Sequence, residues 1–393
     1  MSIRLLIVST LDSSQPFGAF TRPFYLGMYL AQHFEVCQLG LNCSAVDYAQ
    51  SVSIGSRSLR SYIQEVQKCI EEFHPDVVYA QETLPGLAAL IASVLRGQTK
   101  CPLVFDFHTL SAFEYWTRLP YAPHRFNEFT QFIKTYIAQG TLIFANKPII
   151  AASQSIIELI PKWYHTVPRR IYCVGNGVTE DLLNASSSHQ PDPYHQLRPA
   201  KIVVVIAPKT FSFPTNDMSV SMTLEVARHL EQHSQDIHFV VIGRNADELD
   251  QSLPSNITFV GFLPQRSDFL AHLQYADVGL LPFSRQAVAG GARNKALDYL
   301  ACKKLVVSTP EGLRGLEEFR HLQHLLVAGD SVEEVANTVL DACTKLEHYK
   351  PLVEAAHTLI RDKYSWSAKA ARVADILKNE VILPIEKSKV EKS

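Results

Sequence analysis

Residues 257–317 have the sequence ITFVGFLPQRSDFLAHLQYADVGLLPFSRQAVAGGARNKALDYLACKKLVVSTPEGLRGLE. The apolar runs ITFVGFL, DVGLLPF and LVVST predict three strands, because short apolar runs closed by turn residues are typical of strands. SDFLAHLQYA and ARNKALDYLACKK lie between these runs and have the apolar spacing of helices. Strands that alternate with helices predict a parallel sheet in an α/β fold.

A glycine-rich turn in this stretch predicts an anion site. Gly290 and Gly291 precede the second helix, and glycine lets the backbone approach a ligand closely. The first N–H groups of a helix lack intrahelical acceptors and carry the positive end of the helix dipole, which suits a phosphate or diphosphate. Arg293 and Lys295 are expected in the first helical turn, where they would meet that anion. Lys295 and Asp298 are three residues apart and share one helix face.

The segment GGARNKALDYLACKKLVVST, residues 290–309, resembles the donor-binding half of a GT-B fold glycosyltransferase of family 4, also called glycosyl transferases group 1. Members often carry G-x-R-x-K-x-x-E-A-x-A-x-G-K-P-V-V-S-T. Many also carry a Glu-x7-Glu pair, whose second Glu binds the ribose hydroxyls and whose first Glu lies near the sugar. Asp298 stands in the second place, whereas Gly290 stands in the first, so that carboxylate is absent. The resemblance implies that the donor contacts are Gly290, Gly291, Ala292, Arg293, Lys295 and Asp298.

The amino-acid composition limits the classes of protein to which this chain can belong. A chain of 393 residues is long enough for two domains, and its hydrophobic share of 47% with 19% charged residues is typical of a soluble globular protein. A net charge of −2 provides no basic field for nucleic acid. The seven cysteines form no C-x-x-C pair, so they favour a reducing cytoplasm over a zinc site or a disulfide framework. No apolar run approaches the roughly 20 residues of a membrane span.

Two separate strand starts, IRLLIVS near the amino terminus and KIVVVIAP from Lys201, predict two Rossmann-like domains. We expect the first at 1–185, a linker rich in Ser, Pro and Gln at 186–200 and the second at 201–363. The resemblance implies that both domains are doubly wound and face each other across a cleft, with the acceptor in the first and the donor in the second. It also implies that a C-terminal helix, 364–380, crosses back to the first domain. The charged tail, 381–393, is expected to be disordered.

Two motifs in the first domain resemble family motifs. PFGAFTR, residues 16–22, is similar to a P-x-G-G-x-x-R loop, which implies that Gly18 and Ala19 lie at the donor phosphate or the acceptor; an ordinary tight turn is the alternative. Asp106-Phe107-His108 follows a predicted strand and resembles a D-x-H motif, which implies a catalytic His108 near the reacting sugar. A structural or solvated histidine is the alternative.

Further predictions concern loops and a helix. Lys209 follows the strand KIVVVIAP and Arg244 follows HFVVIG, and the resemblance implies that both contact the nucleotide or its phosphates. A solvated loop lysine is the alternative for Lys209, because the family's usual Arg/Lys pair is incomplete here. Seven aromatic residues between Tyr115 and Tyr136 are more typical of a buried helix face than of a binding surface.

The predicted function is transfer of a sugar from a nucleotide-sugar to a glycan, a lipid-linked acceptor or a small molecule. The resemblance implies retention of the anomeric configuration and leaves peripheral association with the inner face of the membrane open. No Asp-x-Asp motif suggests a metal, and we expect no cofactor. Two alternatives remain. One is a non-catalytic nucleotide-sugar-binding relative, because Gly290 replaces a carboxylate, and the other is a sugar-nucleotide 2-epimerase, whose acid/base carboxylates the sequence does not place.

Overall fold

The computed structural model describes residues 2–14, 20–95, 101–122, 124–185, 190–209, 215–232, 236–249, 252–285 and 291–384. The chain forms two compact units. The first comprises residues 1–177 together with 366–393, and the second comprises residues 178–365. In the described part of the chain, no helix is both long and apolar enough to cross a membrane.

The first unit is built on a parallel sheet. Within the described residues this sheet has seven strands in the order β3-β2-β1-β4-β5-β6-β7. Its central strands are buried apolar runs, as expected for a parallel sheet covered on both faces. The chain reverses its direction of strand addition between β1 and β4, which is the switch point of a doubly wound fold. The strands are Arg4–Val8 (β1), Glu35–Gly40 (β2), Gln50–Ser53 (β3), Val77–Gln81 (β4), Leu103–Phe107 (β5), Ile149–Ala151 (β6) and Ile171–Cys173 (β7).

Helices connect these strands. The second of them begins at a serine N-cap: the Oγ of Ser58 accepts a hydrogen bond from the backbone N–H of Ser61 at 3.1 Å, and the helix then buries an apolar face. The helices are Thr21–Leu30 (α1), Leu59–Phe73 (α2), Thr83–Leu95 (α3), Ser111–Arg118 (α4), Arg125–Phe144 (α5) and Gln154–Tyr164 (α6).

The second unit repeats this plan. Its parallel sheet has the order β10-β9-β8-β11-β12-β13 across the described residues, with a switch point between β8 and β11. Apolar side chains from the strands pack on each face. The strands are Lys201–Ile206 (β8), Ile237–Ile242 (β9), Ile257–Phe259 (β10), Val278–Leu281 (β11), Leu305–Ser308 (β12) and Leu326–Val327 (β13). The helices are Glu180–Leu183 (α7), Thr215–Glu231 (α8), Arg266–Tyr275 (α9), Lys295–Ala301 (α10), Val332–Thr344 (α11) and Leu346–Lys363 (α12).

These sheets confirm the predicted α/β class with two Rossmann-like doubly wound domains. The strand–helix alternation predicted for residues 257–317 is present as β10, α9, β11, α10 and β12.

The second unit begins earlier than the predicted boundary at 185. Leu182 and Ala185 are buried in its core, so residues 178–185 pack with the second sheet. The predicted linker 186–200 is also not a free connector over its described part. Tyr194 is buried in the same core, and its hydroxyl donates to the backbone oxygen of His272 at 2.9 Å. Burial of an aromatic ring outweighs the polar composition of this segment.

The C-terminal segment packs in the first unit. Trp366–Asp375 (α13) packs against α1, and the ring of Trp366 stacks on Tyr25 with 5.9 Å between centroids. A wider helical segment, Ile376–Ile382, follows. The expectation that disorder begins at residue 381 is wrong, because Val381 and Ile382 are buried among the strands of the first sheet. Residues 385–393 lie outside the described part.

The prediction that the aromatic residues between Tyr115 and Tyr136 form buried core is wrong. Trp116, Tyr121, Phe126 and Phe129 are exposed, and Tyr115, Phe132 and Tyr136 are only partly buried. The core contacts of α5 are made instead by Gln139, Gly140, Leu142 and Ile143.

Candidate functional site

Polar residues of the second unit gather where its strands end. In a parallel sheet these carboxyl ends lie along one edge, and ligands bind there at the switch point. Lys209 follows β8, Arg244 follows β9 and Glu311 follows β12, and the aromatic ring of Phe283 follows β11. The segment that leads from β11 into α10 ends at the same edge.

Helix α10 starts later than predicted. Its first residue is Lys295, and its N-cap is Asn294, which makes no side-chain cap hydrogen bond. Gly291, Ala292 and Arg293 therefore precede the helix, so the expectation of a helix opened directly by glycine is wrong. Helix α10 has only seven residues, and an anion at this edge would depend mainly on cationic side chains.

The ammonium group of Lys295 lies at this edge, and its hydrogen-bond acceptor is a neutral amide. Its Nζ donates to the Oδ1 of Asn216, at the start of α8, over 2.5 Å, and lies 5.4 Å from the ring centroid of Phe283. Burial, together with the nearby guanidinium groups of Arg293 and Arg244, lowers the pKa of Lys295 to about 7, while Asp298 opposes this shift. A desolvated ammonium beside two other cations gains strongly from an anionic ligand.

Asp298 lies one turn further along α10. Burial raises the pKa of its carboxyl to about 7, with Asp181 raising it and Arg266 and Lys295 opposing the shift. The Arg266 guanidinium also pairs with Asp181 at 2.8 Å. An ionised Asp298 carboxylate could accept hydrogen bonds from two hydroxyl groups.

Arg293 is held by the protein itself. Its guanidinium stacks on Phe283 at 4.1 Å and donates to the Oε1 of Glu311 at 3.1 Å, and both residues of this ion pair are buried. Arg314 also donates to Glu311, at 2.7 Å. The predicted position of Arg293 in the first helical turn is wrong, because Arg293 precedes the helix. Its contact with a ligand stays a prediction.

Arg244 reaches the same region because of the glycine before it. Gly243 has a φ of +94°, and a Cβ at this position would lie 2.8 Å from the Cα of Pro208. This left-handed residue turns the chain at the end of β9. Arg244 is buried, and its Nη2 donates to Asp217 at 2.5 Å, next to the partner of Lys295. Within the described residues its Nε has no hydrogen-bond partner.

Lys209 lies at this edge but is half-exposed. Its Nζ pairs with Glu248 at 3.0 Å, while its backbone N–H donates to the Gly243 oxygen. The described structure therefore brings Lys295, Asp298 and Arg244 together and leaves Lys209 at the margin.

The first unit contains a buried ion pair that the sequence did not reveal. The Nε and Nη2 of Arg22 donate to the two carboxylate oxygens of Asp106, at 3.0 and 3.2 Å, and both residues are buried. Tyr79 donates its hydroxyl to the same carboxylate. The Nη1 of Arg22 donates to the backbone oxygen of Gly175 and to Asn176, at 3.1 Å each. The Asp of the D-x-H motif is thus bound to the Arg of PFGAFTR.

His108 lies beside this ion pair, at the end of β5. Its Nδ1 is 3.0 Å from the Oε1 of Glu82, which follows the neighbouring strand β4. Glu82 has a φ of +76°, and its backbone N–H donates to the backbone oxygen of Asp106 at 2.8 Å. The Nε2 of His108 is 4.0 Å from Asp106 and has no hydrogen-bond partner in the described part of the chain. Glu82 therefore fixes one ring nitrogen, while the other is buried and unpaired within the described residues.

Two family models match the chain. A model described as Glycosyltransferase Family 4 matches residues 51–182, and a model described as Glycosyl transferases group 1 matches residues 204–345. The chain belongs to the family 4-like glycosyltransferases. Its GT-B fold is also that of similar solved structures.

The solved structures similar to this glycosyltransferase have low sequence identity. Sucrose-phosphate synthase from Thermosynechococcus elongatus is 13% identical with a TM-score of 0.72, over 96% of this chain and 98% of that one. Anabaena Alr3699/HepE in complex with UDP is 16% identical with a TM-score of 0.70, over 96% and 100%. The same Anabaena protein is also known in complex with UDP-glucose. No curated protein matches the sequence.

Several predicted positions of this glycosyltransferase, Gly18, Ala19 and Gly290, lie outside the described residues. Sequence reasoning missed Glu82, Arg22 and Asn216 as members of the sites. Glu82 could have been found from its place immediately after a predicted strand. The partners of Arg22 and Lys295 could not, since they are 84 and 79 residues away along the chain.

Proposed function

We propose that this glycosyltransferase moves a hexosyl group from a nucleotide-sugar to an acceptor hydroxyl, with retention at the anomeric carbon. The observation that carries the donor assignment is Lys295: a desolvated ammonium hydrogen-bonded to a neutral amide, with Arg244 and Arg293 nearby. A diphosphate supplies the negative charge that this group lacks. Asp298 accepts hydrogen bonds from the two ribose hydroxyls.

The same cations favour departure of the nucleotide. As the bond between the anomeric carbon and the β-phosphate oxygen breaks, its electron pair goes to the diphosphate, and Lys295 and Arg244 stabilise that charge. The acceptor oxygen bonds to the anomeric carbon on the same face, and its proton passes to the departing phosphate oxygen. This assignment needs no metal ion and no cofactor.

In the first unit we assign His108 to a hydroxyl of the reacting sugars. The carboxylate of Glu82 accepts the Nδ1–H, so the Nε2 is left as a hydrogen-bond acceptor. Glu82 is the positioning residue, because it acts through the imidazole and holds the ring in one tautomer and orientation.

UDP-glucose is the first donor to test, because the Anabaena structure of the same fold is known with it. We also infer a cytoplasmic enzyme of polysaccharide biosynthesis that acts peripherally at the inner face of a membrane, on a lipid-linked or polymeric glycan. The exposed aromatic side chains of α5 support the membrane part of this proposal.

A screen of UDP-, GDP- and ADP-sugars by thermal shift, followed by mass spectrometry of reactions with and without acceptor, tests the proposal. We expect a glycosylated acceptor. A donor isomer formed without acceptor would indicate an epimerase, and donor binding without any product would indicate a non-catalytic relative. Lys295→Met should abolish the donor-induced shift, whereas Lys303→Met, an exposed lysine paired with Glu354, should leave it unchanged.

A further inference from the structure

Helix α5 exposes a row of large apolar side chains on one face. Phe126 is 81% exposed and Ile137 is 62% exposed, and Phe129 and Ile133 between them are also exposed. These residues recur at every third or fourth position, which places them on one side of the helix. Trp116 of α4 is exposed as well and contacts Phe132 of α5, with 5.2 Å between ring centroids. We call Trp116, Phe126, Phe129, Ile133 and Ile137 the α5 surface. Soluble proteins rarely leave a patch of this kind uncovered.

A groove adjoins the α5 surface. It has a volume of about 380 Å³ and is lined by Trp116, Phe132, Tyr136, Lys162 and Trp163. Four of these five residues are aromatic, so the groove suits an apolar chain, and Lys162 provides a cation at its border. The rings of Phe129 and Phe132, 6.1 Å apart, connect the groove to the α5 surface.

The segment that carries this surface has a net charge opposite in sign to that of the whole chain. Residues 111–170 contain seven Lys and Arg but only three Glu, in a protein whose net charge is −2. Arg125 and Lys134 of α5 are exposed. An apolar helix face flanked by basic residues is the composition of a helix that lies in the headgroup region of an anionic bilayer. A second copy of the chain would bring the same excess of positive charge opposite itself, which disfavours self-association.

We propose that the α5 surface docks on an anionic lipid bilayer, with its rings at the boundary between headgroups and acyl chains and the groove holding part of one lipid chain. This deepens the membrane association included in the proposed function. It rests on that function only for the identity of the acceptor, since bilayer docking requires no sugar transfer.

Co-sedimentation of the full-length protein with vesicles tests this, in the absence of donor and acceptor. The vesicles are pure phosphatidylcholine or an equimolar mixture of phosphatidylcholine and phosphatidylglycerol. We expect binding to the mixed vesicles that weakens with added salt. The variant Phe126→Ser/Phe129→Ser/Ile137→Ser should lower the partition coefficient at least about tenfold. Phe262→Ser, which removes a ring from the second unit that is 67% exposed, should not change it.

Equal binding of the triple variant and the unaltered protein would overturn the proposal, as would failure of the unaltered protein to bind mixed vesicles. A dimer in analytical ultracentrifugation that the triple substitution dissociates, without vesicle binding, would instead make this face a contact between copies. Unchanged circular dichroism and thermal melting of the triple variant establish that it is folded. Transferase assays are separate, so loss of the proposed activity would leave the vesicle result intact.

Discussion

Lys295 and Asp298 are brought to nearly the same pKa from opposite directions. Burial lowers the pKa of the lysine to about 7 and raises that of the aspartate to about 7. In the proposed donor complex, the diphosphate needs the lysine charged and the ribose hydroxyls need the aspartate ionised. Donor affinity should therefore be highest near pH 7. It falls at higher pH as Lys295 loses its proton and at lower pH as Asp298 gains one.

Calorimetric titration with UDP-glucose between pH 5 and pH 9 measures this, and we expect a decrease of about 20-fold between pH 7 and either limit. Lys295→Met should weaken binding and remove the alkaline decrease, whereas Asp298→Asn should remove the acidic one. Affinity that stays constant across this range would contradict the assigned contacts.

The contact between Glu82 and His108 gives a second prediction at the scale of one side chain. Glu82→Gln keeps the shape but can present an amide N–H to the His108 nitrogen, so the ring is no longer held in one tautomer. We expect kcat to fall about 10- to 100-fold while the KM for the donor stays unchanged. In a double-mutant cycle, Glu82→Gln should add nothing to His108→Ala. Additive losses would mean that Glu82 acts independently of the histidine.

The Arg22–Asp106 pair should matter for stability. Arg22→Met leaves the Asp106 carboxylate buried without its guanidinium partner, and we expect a loss of about 3–5 kcal/mol in the free energy of unfolding. All three tryptophans, Trp116, Trp163 and Trp366, belong to the first unit, so their fluorescence during urea unfolding reports on it. Arg372→Met is the control, because the Arg372–Asp375 pair is exposed and contributes about 0–1 kcal/mol. Equal losses in the two variants would contradict the argument.

At the scale of elements, the buried strands were the most predictable part. Central strands of a parallel sheet are covered on both faces and must be continuous apolar runs, which the sequence displays directly. The positions of Lys209, Arg244, Lys295 and Asp298 at or near strand ends followed from the same pattern. Their family roles came from the resemblance and remain proposals.

Other features depend on contacts between distant residues, which no local pattern encodes. The ion pair of Arg293 is an example, because its partner Glu311 lies beyond the next strand, β12. The late start of α10 is another. The aromatic residues of α5 were expected inside because rings usually bury area. These aromatic residues are exposed because Gln139, Leu142 and Ile143 form the buried face of α5 instead.

The turn after β9 gives a prediction about an element. Gly243→Ala places a Cβ against the Pro208 backbone at a φ of +94°, so the turn that carries Arg244 must shift. We expect a loss of about 1–3 kcal/mol in stability by thermal unfolding and weaker donor binding. Gly55→Ala is the matched control, since Gly55 also has a positive φ of +68° but no atom lies within 4 Å of the added Cβ. A Gly243→Ala protein that melts and binds donor normally would contradict this role.

At the scale of the whole molecule, the chain enters and leaves the second unit at neighbouring positions. Val178 forms a β-bridge with Ser365, and its backbone N–H donates to the Tyr364 oxygen at 2.7 Å. Residues 178–365 therefore contain a complete sheet and core with adjacent ends, and such segments generally fold alone. We expect this segment, expressed separately, to melt cooperatively and to bind UDP-glucose with unchanged pH dependence. An unfolded product would show that its core is incomplete.

The two chain segments of the first unit, residues 1–177 and 366–393, also meet at neighbouring positions. A Cβ on Gly177 would lie 2.8 Å from the backbone nitrogen of Trp366, so the two chain pieces of the first unit meet where the second is inserted. A short glycine bridge between Gly177 and Trp366 would close that gap and make the first unit continuous. The molecule can in this way be divided into an uninterrupted module for vesicle studies and a separate one for nucleotide titrations.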